Sequence, residues 1–279
     1  MHSSTRLSLD KAKYIEGARK SIEAEWTKLE TKQSWLVKTV RSKAEVIAEA
    51  KRRGKTIHIG SLMTLCHEKN SELNLPESLK KYKGRVVFRG DCVKDEQGTW
   101  AVFTEQASSA SRMGGAKALD ALARMPGMSG ENADAVAAYT QADLQTAWKQ
   151  LGMKEEGYPE TWISLPRNRW PKDGSWDHIA DPICILKRNL YGHPLAGLIW
   201  EKHCHHHILS LGFEPVPSWE CLFQHIDKQL FLSIYVDDFK MAGKEESLKP
   251  MWQKIRAHIE LDDPTPLHLF RMPAIRCGA

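Results

Sequence analysis

An apolar run of seven residues, 230–236, ends in two adjacent aspartates, Asp237 and Asp238, and constrains the fold more than any other feature of the sequence. Three polar residues separate this run from the preceding apolar stretch CLFQHI, so the two are predicted to form a β-hairpin. A second tight reversal follows at the aspartates. Two like charges at a buried hairpin tip are costly unless a cation compensates them, and Mg²⁺ prefers carboxylate oxygens. The alternative is an inert, solvent-exposed turn.

Composition excludes several classes of protein. The chain has 279 residues, of which 42% are hydrophobic and 27% charged, as in ordinary globular proteins. It has no apolar run of membrane-spanning length and no secretory signal behind its first charges. Its six cysteines form no CxxC pair, which favours reduced thiols over disulfides or a zinc ribbon. We therefore expect an intracellular protein, cytoplasmic or nuclear, with no membrane partner.

The charge is distributed unevenly. Residues 1–90 carry 20 Lys and Arg against 10 Asp and Glu, whereas the remaining residues carry 20 against 25. A basic region of this kind indicates a polyanionic partner such as nucleic acid. The alternative is a solvated helix surface, because KAEVIAEAKRRGK alternates its charges as exposed helices do.

Hydrophobic periodicity predicts an α+β chain with an antiparallel sheet covered by helices on one face. Strands are predicted at QSWLVKTV, at Arg85–Arg89 with WAVFTE as a neighbour, and at ICIL. KPMWQKIRAHIE is predicted to be an amphipathic helix with Pro250 in its first turn. Further helices are predicted over residues 10–32, 42–53, 107–129 and 195–209.

A third carboxylate, Asp134, stands just before the short apolar stretch AVAAY. Carboxylates that are far apart in the sequence but on neighbouring strands can bridge two Mg²⁺ ions. Such a pair of ions activates an attacking hydroxyl and stabilises a leaving oxygen in phosphoryl transfer.

Three segments resemble, in this order, the palm motifs of Ty1/copia LTR-retrotransposon reverse transcriptases: ADAVAAYTQADL, LKRNLYGHPLAGLIWEKH and LSIYVDDFKMAG. Upstream, WTKLETKQSWLVKTV and KYKGRVVFRGD are similar to the opening of that domain and its fingers strand. The resemblance implies a right-hand polymerase palm and fingers. It divides the chain into a tail (1–14), a basic fingers-like region (15–130), a palm (131–262) and an unmatched tail (263–279).

The resemblance also implies a function, RNA-directed DNA polymerisation. The expected partners are an RNA template, a DNA primer, deoxynucleoside triphosphates and two Mg²⁺ ions, with Mn²⁺ as a substitute. By position, Asp134 and Asp237 resemble the metal ligands, together with the backbone carbonyl of Ala135, and Asp238 resembles the neighbouring carboxylate that shapes the local field.

Four further residues match the family's nucleotide site. Lys83 and Arg85 fall in the fingers strand that meets the triphosphate, where cations neutralise the transferring phosphoryl group. Tyr139 occupies the steric-gate position, and Gly192 begins the motif that lies against the nascent base pair. The alternatives are a core aromatic for Tyr139 and ordinary surface charge for the two cations.

The sequence departs from the family in two places. It reads His193-Pro194-Leu195 where the family usually has a Lys-Gln pair, and the resemblance ends near Asp262, before the thumb and RNase H. We therefore expect a fragment of a Pol polyprotein, with the other Pol segments (thumb, RNase H, integrase) as partners. The alternative is a catalytically inactive remnant that only binds nucleic acid. An unrelated phosphotransferase would need a glycine-rich phosphate loop, and no GxxxxGK[ST] occurs.

His203 and His207 lie one helical turn apart, as zinc ligands on a helix would. No third ligand stands at a telling spacing, so this segment is predicted to be a half-exposed helix surface.

Overall fold

A computed structural model describes residues 4–103, 110–146, 152 and 159–267. These residues contain six α-helices and two six-stranded β-sheets, so the protein is of the mixed α/β kind. The helices are α1 Leu9–Ala12, α2 Glu16–Thr31, α3 Lys43–Arg53, α4 Met113–Leu122, α5 Ala196–Ser210 and α6 Glu245–Arg256. The strands are β1 Ser4–Leu7, β2 Trp35–Ser42, β3 Ile57–Lys69, β4 Lys81–Phe88, β5 Met128–Asp134, β6 Glu160–Ser164, β7 Pro182–Leu186, β8 Glu214–Pro215, β9 Leu222–His225, β10 Leu230–Tyr235, β11 Asp238–Lys244 and β12 Thr265–Pro266.

The chain divides into two compact units. The first combines the described residues of Met1–Gln106 and Tyr139–Ile199, and the second those of Ala107–Ala138 and Trp200–Ala279. The division of the chain at residues 130/131 stays a prediction, as does the right-hand arrangement of fingers and palm.

The sheet of the first unit has the strand order β1-β3-β6-β7-β2, with β4 also paired to β3. Strands β3 and β6 are parallel, so this sheet is mixed rather than antiparallel as predicted. Its core is built around buried aromatic and aliphatic side chains, because large apolar groups gain the most from removal from water. The largest of them in this unit include Trp26, Phe88, Leu144, Ile163 and Leu186.

The sheet of the second unit is entirely antiparallel, in the order β12-β5-β11-β10-β9-β8. The predicted hairpin of β9 and β10 and the reversal into β11 are both confirmed. In β10, consecutive residues from Leu232 to Ile234 are buried. Since neighbouring residues of a strand point to opposite faces, this strand is covered on both faces rather than on the one predicted.

Several helix and strand bounds differ from the predictions. Helix α6 begins at Glu245, where two glutamates favour the N-terminal end, so Pro250 lies inside the helix rather than in its first turn. The segment predicted as one small-residue helix holds α4 and then the start of β5. Residues 100–103 of WAVFTE form no strand but a single bridge between Trp100 and Lys94, and residues 104–109 lie outside the described residues.

In the described part of the chain, no helix combines the length and the apolar character that crossing a membrane requires.

Candidate functional site

The aspartate hairpin tip is a two-residue turn. Tyr235 of β10 pairs with Asp238 of β11, which leaves Val236 and Asp237 as its central residues. Val236 has a φ of +56°, at the first central position, where two-residue hairpin turns usually place glycine or asparagine. A β-branched residue in this region costs about 1–3 kcal/mol, and such strain clusters at functional sites.

Strand β5 delivers Asp134 to the same end of the sheet. Asp134 pairs directly with Asp238, so both side chains lie on one face of the sheet. Two backbone hydrogen bonds hold the chain at Asp134 and Ala135. The amide of Ala135 donates to the carbonyl oxygen of Asp237 at 2.7 Å, and the amide of Asp262 donates to that of Asp134 at 2.9 Å. The structure therefore brings the predicted catalytic residues to adjacent positions.

The three aspartates are exposed, so the tip is not buried; in this respect it agrees with the alternative of a solvent-exposed turn. Neighbouring protein atoms remove some of the water around the Asp238 carboxyl group, and this desolvation, with the carboxylates of Asp237 and Asp134, raises the pKa of Asp238. Crowded carboxylates of this kind favour a cation. Oxygens of all three aspartates do not lie together within 4.8 Å. Since Mg²⁺ is usually held by one or two carboxylates and substrate phosphates, this donor set fits an Mg²⁺ site that substrate completes.

A buried tryptophan, Trp200, supports the strained turn. The indole Nε1 of Trp200 donates a hydrogen bond of 2.7 Å to the carbonyl oxygen of Val236. Trp200 is almost fully buried, at 2% exposure, and lies on helix α5. In the sequence, the feature that points to Trp200 is its position within the second motif, LKRNLYGHPLAGLIWEKH.

The residues predicted to bind nucleotide lie in the first unit, whereas the aspartates lie in the second. The guanidinium of Arg85 stands 5.1 Å from the centroid of the Tyr191 ring, which meets the Tyr139 ring edge-on at 4.5 Å. Arg85 also pairs with Glu25 at 3.8 Å. Lys83 is exposed and two residues earlier on β4, hence on the same face as Arg85. Tyr191 thus contacts two predicted site residues, Arg85 and Tyr139, but was not itself predicted as a site residue.

Gly192 has a structural reason to be glycine. Its φ is +85°, and a Cβ there would stand 2.2 Å from the carbonyl oxygen of Phe88. The amide of Phe88 in turn donates to the carbonyl oxygen of Tyr191 at 2.8 Å. This close approach of two backbone segments explains why position 192 is a glycine. Its contact with a nascent base pair stays a prediction.

His193, where the sequence departs from the family, is a buried core residue. Its ring centroid lies 5.1 Å from that of Phe88, and its Nδ1 accepts a hydrogen bond from the amide of Leu195. Burial, and then the proximity of His58, lower the pKa of His193 to about 3. The imidazole is therefore neutral in the folded protein at ordinary pH.

We expect this histidine to make the protein sensitive to acid. The unfolded imidazole has a pKa near 6.5, so below that pH the unfolded chain takes up a proton that the folded chain does not. Stability should fall by about 1.4 kcal/mol per pH unit between about pH 6.5 and 3. Urea unfolding at pH 6.5, 5.5 and 4.5 should show a shallower dependence for His193→Asn. The same change at exposed His206 should leave the dependence intact, and equal slopes for His193→Asn and the native chain would contradict the assignment.

His203 and His207 of α5 form a ring cluster with His258 on one side of the helix. The rings of His203 and His207 lie 4.7 Å apart, and His207 stacks on His258 at 5.2 Å. Burial lowers the pKa of His207. This arrangement accords with the predicted half-exposed surface.

No protein-family model matches this sequence. Among solved structures, the chain is weakly similar to the apo telomerase of Candida tropicalis truncated from its C-terminal domain. The TM-score is 0.37 and the sequence identity 11%. The match covers 57% of this chain and 36% of that chain, so it spans little more than a third of the telomerase.

Proposed function

We propose that this chain is the reverse transcriptase domain of a copia-type retrotransposon. It would transfer a deoxynucleotidyl group to a primer 3′-OH, directed by an RNA template, with pyrophosphate as the leaving group. One observation carries the proposal: Asp134 and Asp238 are cross-strand partners beside Asp237 in a strained two-residue turn. The order of the motifs in the sequence supports it independently.

Asp134 and Asp237, with the carbonyl of Ala135, would hold Mg²⁺. The bound ions would supply charge neutralisation for in-line displacement at the nucleotide phosphate. The strand pairing fixes the backbone of Asp134 against the turn, which would limit how far the two carboxylates must move when substrate arrives. Asp238 would add negative potential at the same edge.

In the first unit, Arg85 and Lys83 would contact the triphosphate of the incoming nucleotide. The face of Tyr191 orients the Arg85 guanidinium, and a planar cation of this kind suits phosphate oxygens. Tyr139 would exclude a ribose 2′-OH, with its ring held against Tyr191.

The proposal is tested by primer extension on poly(rA)–oligo(dT) with dTTP and Mg²⁺, repeated with Mn²⁺. Extension would support a polymerase. Duplex binding at low salt without extension under either ion would instead support a remnant that holds nucleic acid and performs no chemistry.

Trp200→Phe should weaken polymerisation more than it weakens the fold. Loss of the bond to Val236 and of part of a buried side chain costs about 2 kcal/mol of stability, whereas a misplacement of about 1 Å at a reacting centre costs about 100-fold in rate. We expect primer extension to slow by about 10- to 100-fold in a chain that remains folded. Trp219→Phe is the matched control, since Trp219 lies in the same unit and is exposed. Equal rates for the two variants would contradict a role for Trp200 in positioning the turn.

Reversing the charge of the basic cluster at the end of α3 should weaken nucleic acid binding. Arg52, Arg53 and Lys55 are exposed, and Arg53 is paired with Glu49. If these cations contact phosphates, changing all three to Glu should lower RNA–DNA affinity and reduce the slope of log K against log salt by about 0.7–0.9 per lost contact. Fluorescence anisotropy at several salt concentrations measures both. An unchanged slope would mean that this cluster is only a solvated helix surface.

A further inference from the structure

A second group of potential metal ligands lies on helix α5 and the loop before β9. Glu201, His205 and Cys221 each offer one ligand atom, and these atoms all lie within 4.8 Å of one another. Across residues 4–103, 110–146, 152 and 159–267, no other three Cys, His, Asp or Glu residues meet this condition. We propose that Glu201, His205 and Cys221 bind a Zn²⁺ ion, independently of the polymerase chemistry.

The distance between the nitrogen and the sulfur fits a tetrahedral ion. Nε2 of His205 lies 3.7 Å from Sγ of Cys221. With a Zn–S distance of about 2.3 Å and a Zn–N distance of about 2.0–2.1 Å, tetrahedral geometry separates the two atoms by about 3.6 Å. Glu201 and His205 stand four residues apart on one helix, which places both on the same face. A carboxylate oxygen of Glu201 lies within 4.8 Å of a ring nitrogen of His205 and of Sγ of Cys221.

The fold fixes two of the three ligands. Cys221 is buried, has a φ of +50°, and its carbonyl oxygen accepts a hydrogen bond of 2.9 Å from the amide of Ile234. The ring of His205 packs edge-on against Phe223, with centroids 5.0 Å apart. Ligands held before the ion arrives lose little freedom on binding, which favours affinity.

The donor types select zinc over magnesium. A thiolate, an imidazole and a carboxylate suit a borderline-soft ion, whereas Mg²⁺ takes oxygen ligands as at the aspartate site. Glu201 and His205 are only half-buried, so an ion and a fourth ligand from solvent can reach the site. This group does not include His203 or His207, the pair with zinc-like spacing in the sequence, and lies on the other side of the helix.

Cobalt provides the direct test, because a Co²⁺–thiolate bond has a charge-transfer absorption band. The full chain, stripped with chelator, is titrated with Co²⁺ and then with Zn²⁺. We expect one Co²⁺ bound with this band, displaced by Zn²⁺. Cys221→Ser should abolish the band. It should also lower Zn²⁺ affinity by more than about 100-fold, because loss of a direct ligand costs more than loss of a residue that only hydrogen-bonds to a ligand, which typically costs about 10- to 100-fold. Glu201→Gln should lower affinity by at least about 10-fold.

Two variants control for adventitious binding by a histidine-rich helix. His206→Asn removes an exposed imidazole next to the site, and Cys92→Ser removes a half-buried thiol in the first unit. Both should keep the band and the affinity. If Cys221→Ser fails to fold, Glu201→Gln at a half-buried position decides alone. A native chain without the band, a band that survives in folded Cys221→Ser, unchanged affinity in Glu201→Gln, or loss in either control would overturn the proposal.

Discussion

Asp237→Asn should abolish primer extension while leaving the fold intact. The substitution keeps the shape of the side chain and removes one negative charge from a crowded, exposed group, so unfolding should not become easier. If Asp237 holds Mg²⁺ as proposed, loss of its carboxylate removes several kcal/mol of charge stabilisation in the transition state. At 1.36 kcal/mol per tenfold, we expect a fall in rate of about 1,000-fold or more, measured by single-turnover extension of a labelled primer.

The chain offers a close control at the opposite end of the same strand. Asp227 is exposed in the turn between β9 and β10, whereas Asp237 lies in the turn between β10 and β11. Asp227→Asn makes the same change of charge and should leave extension unaffected. If Asp237→Asn retained the native rate in a chain that extends primers, Asp237 would be an inert turn residue and the metal assignment would fail.

Gly192→Ala should cause a large loss of stability, although it adds only one methyl group. A Cβ at this position would overlap the carbonyl oxygen of Phe88, and backbone atoms cannot move aside as a flexible side chain can. The positive φ adds strain for any L-residue. We expect a loss of about 3 kcal/mol or more in the free energy of unfolding, measured by urea denaturation.

Gly54→Ala separates the two causes of that loss. Gly54 caps helix α3 in the same unit with a φ of +60°, but a Cβ there meets no atom within 4 Å. We expect a cost of only about 1 kcal/mol from the left-handed backbone alone. Similar costs for the two variants would show that the contact with Phe88 relaxes freely.

Sequence patterns predicted the elements that short-range periodicity defines. The β9–β10–β11 reversals and helix α5 were found within a residue or two, because their apolar spacing is regular and their turns are polar. Strand β3 was missed: it carries Gly, Ser, Thr, Cys and His among its apolar residues, and its parallel partner β6 lies far along the chain. Long-range pairing of this kind leaves no local signal.

The residues of the candidate site likewise include some that local sequence patterns predict and others that only the fold brings together. The aspartates stood out because two charges after an apolar strand are unusual. The bond from Trp200 to Val236 could not be predicted, since an indole in a helix has the same pattern whether or not it reaches a turn. The contact of Arg85 with Tyr191 likewise depends on how β4 pairs with the loop before α5.

The pairing of β2 has a consequence for synthesis on the ribosome. β2 has β7 as its neighbour in the described sheet, and β7 begins at Pro182. At about 5–20 residues per second, synthesis of the intervening chain takes roughly 7–28 s, during which β2 has no β7 to pair with. Until then the backbone N–H and C=O groups of β2 that later pair with β7 are unpaired, and a strand of another nascent chain could pair with them. The charges of Lys38 and Arg41 in β2 would then oppose such pairing and reduce aggregation.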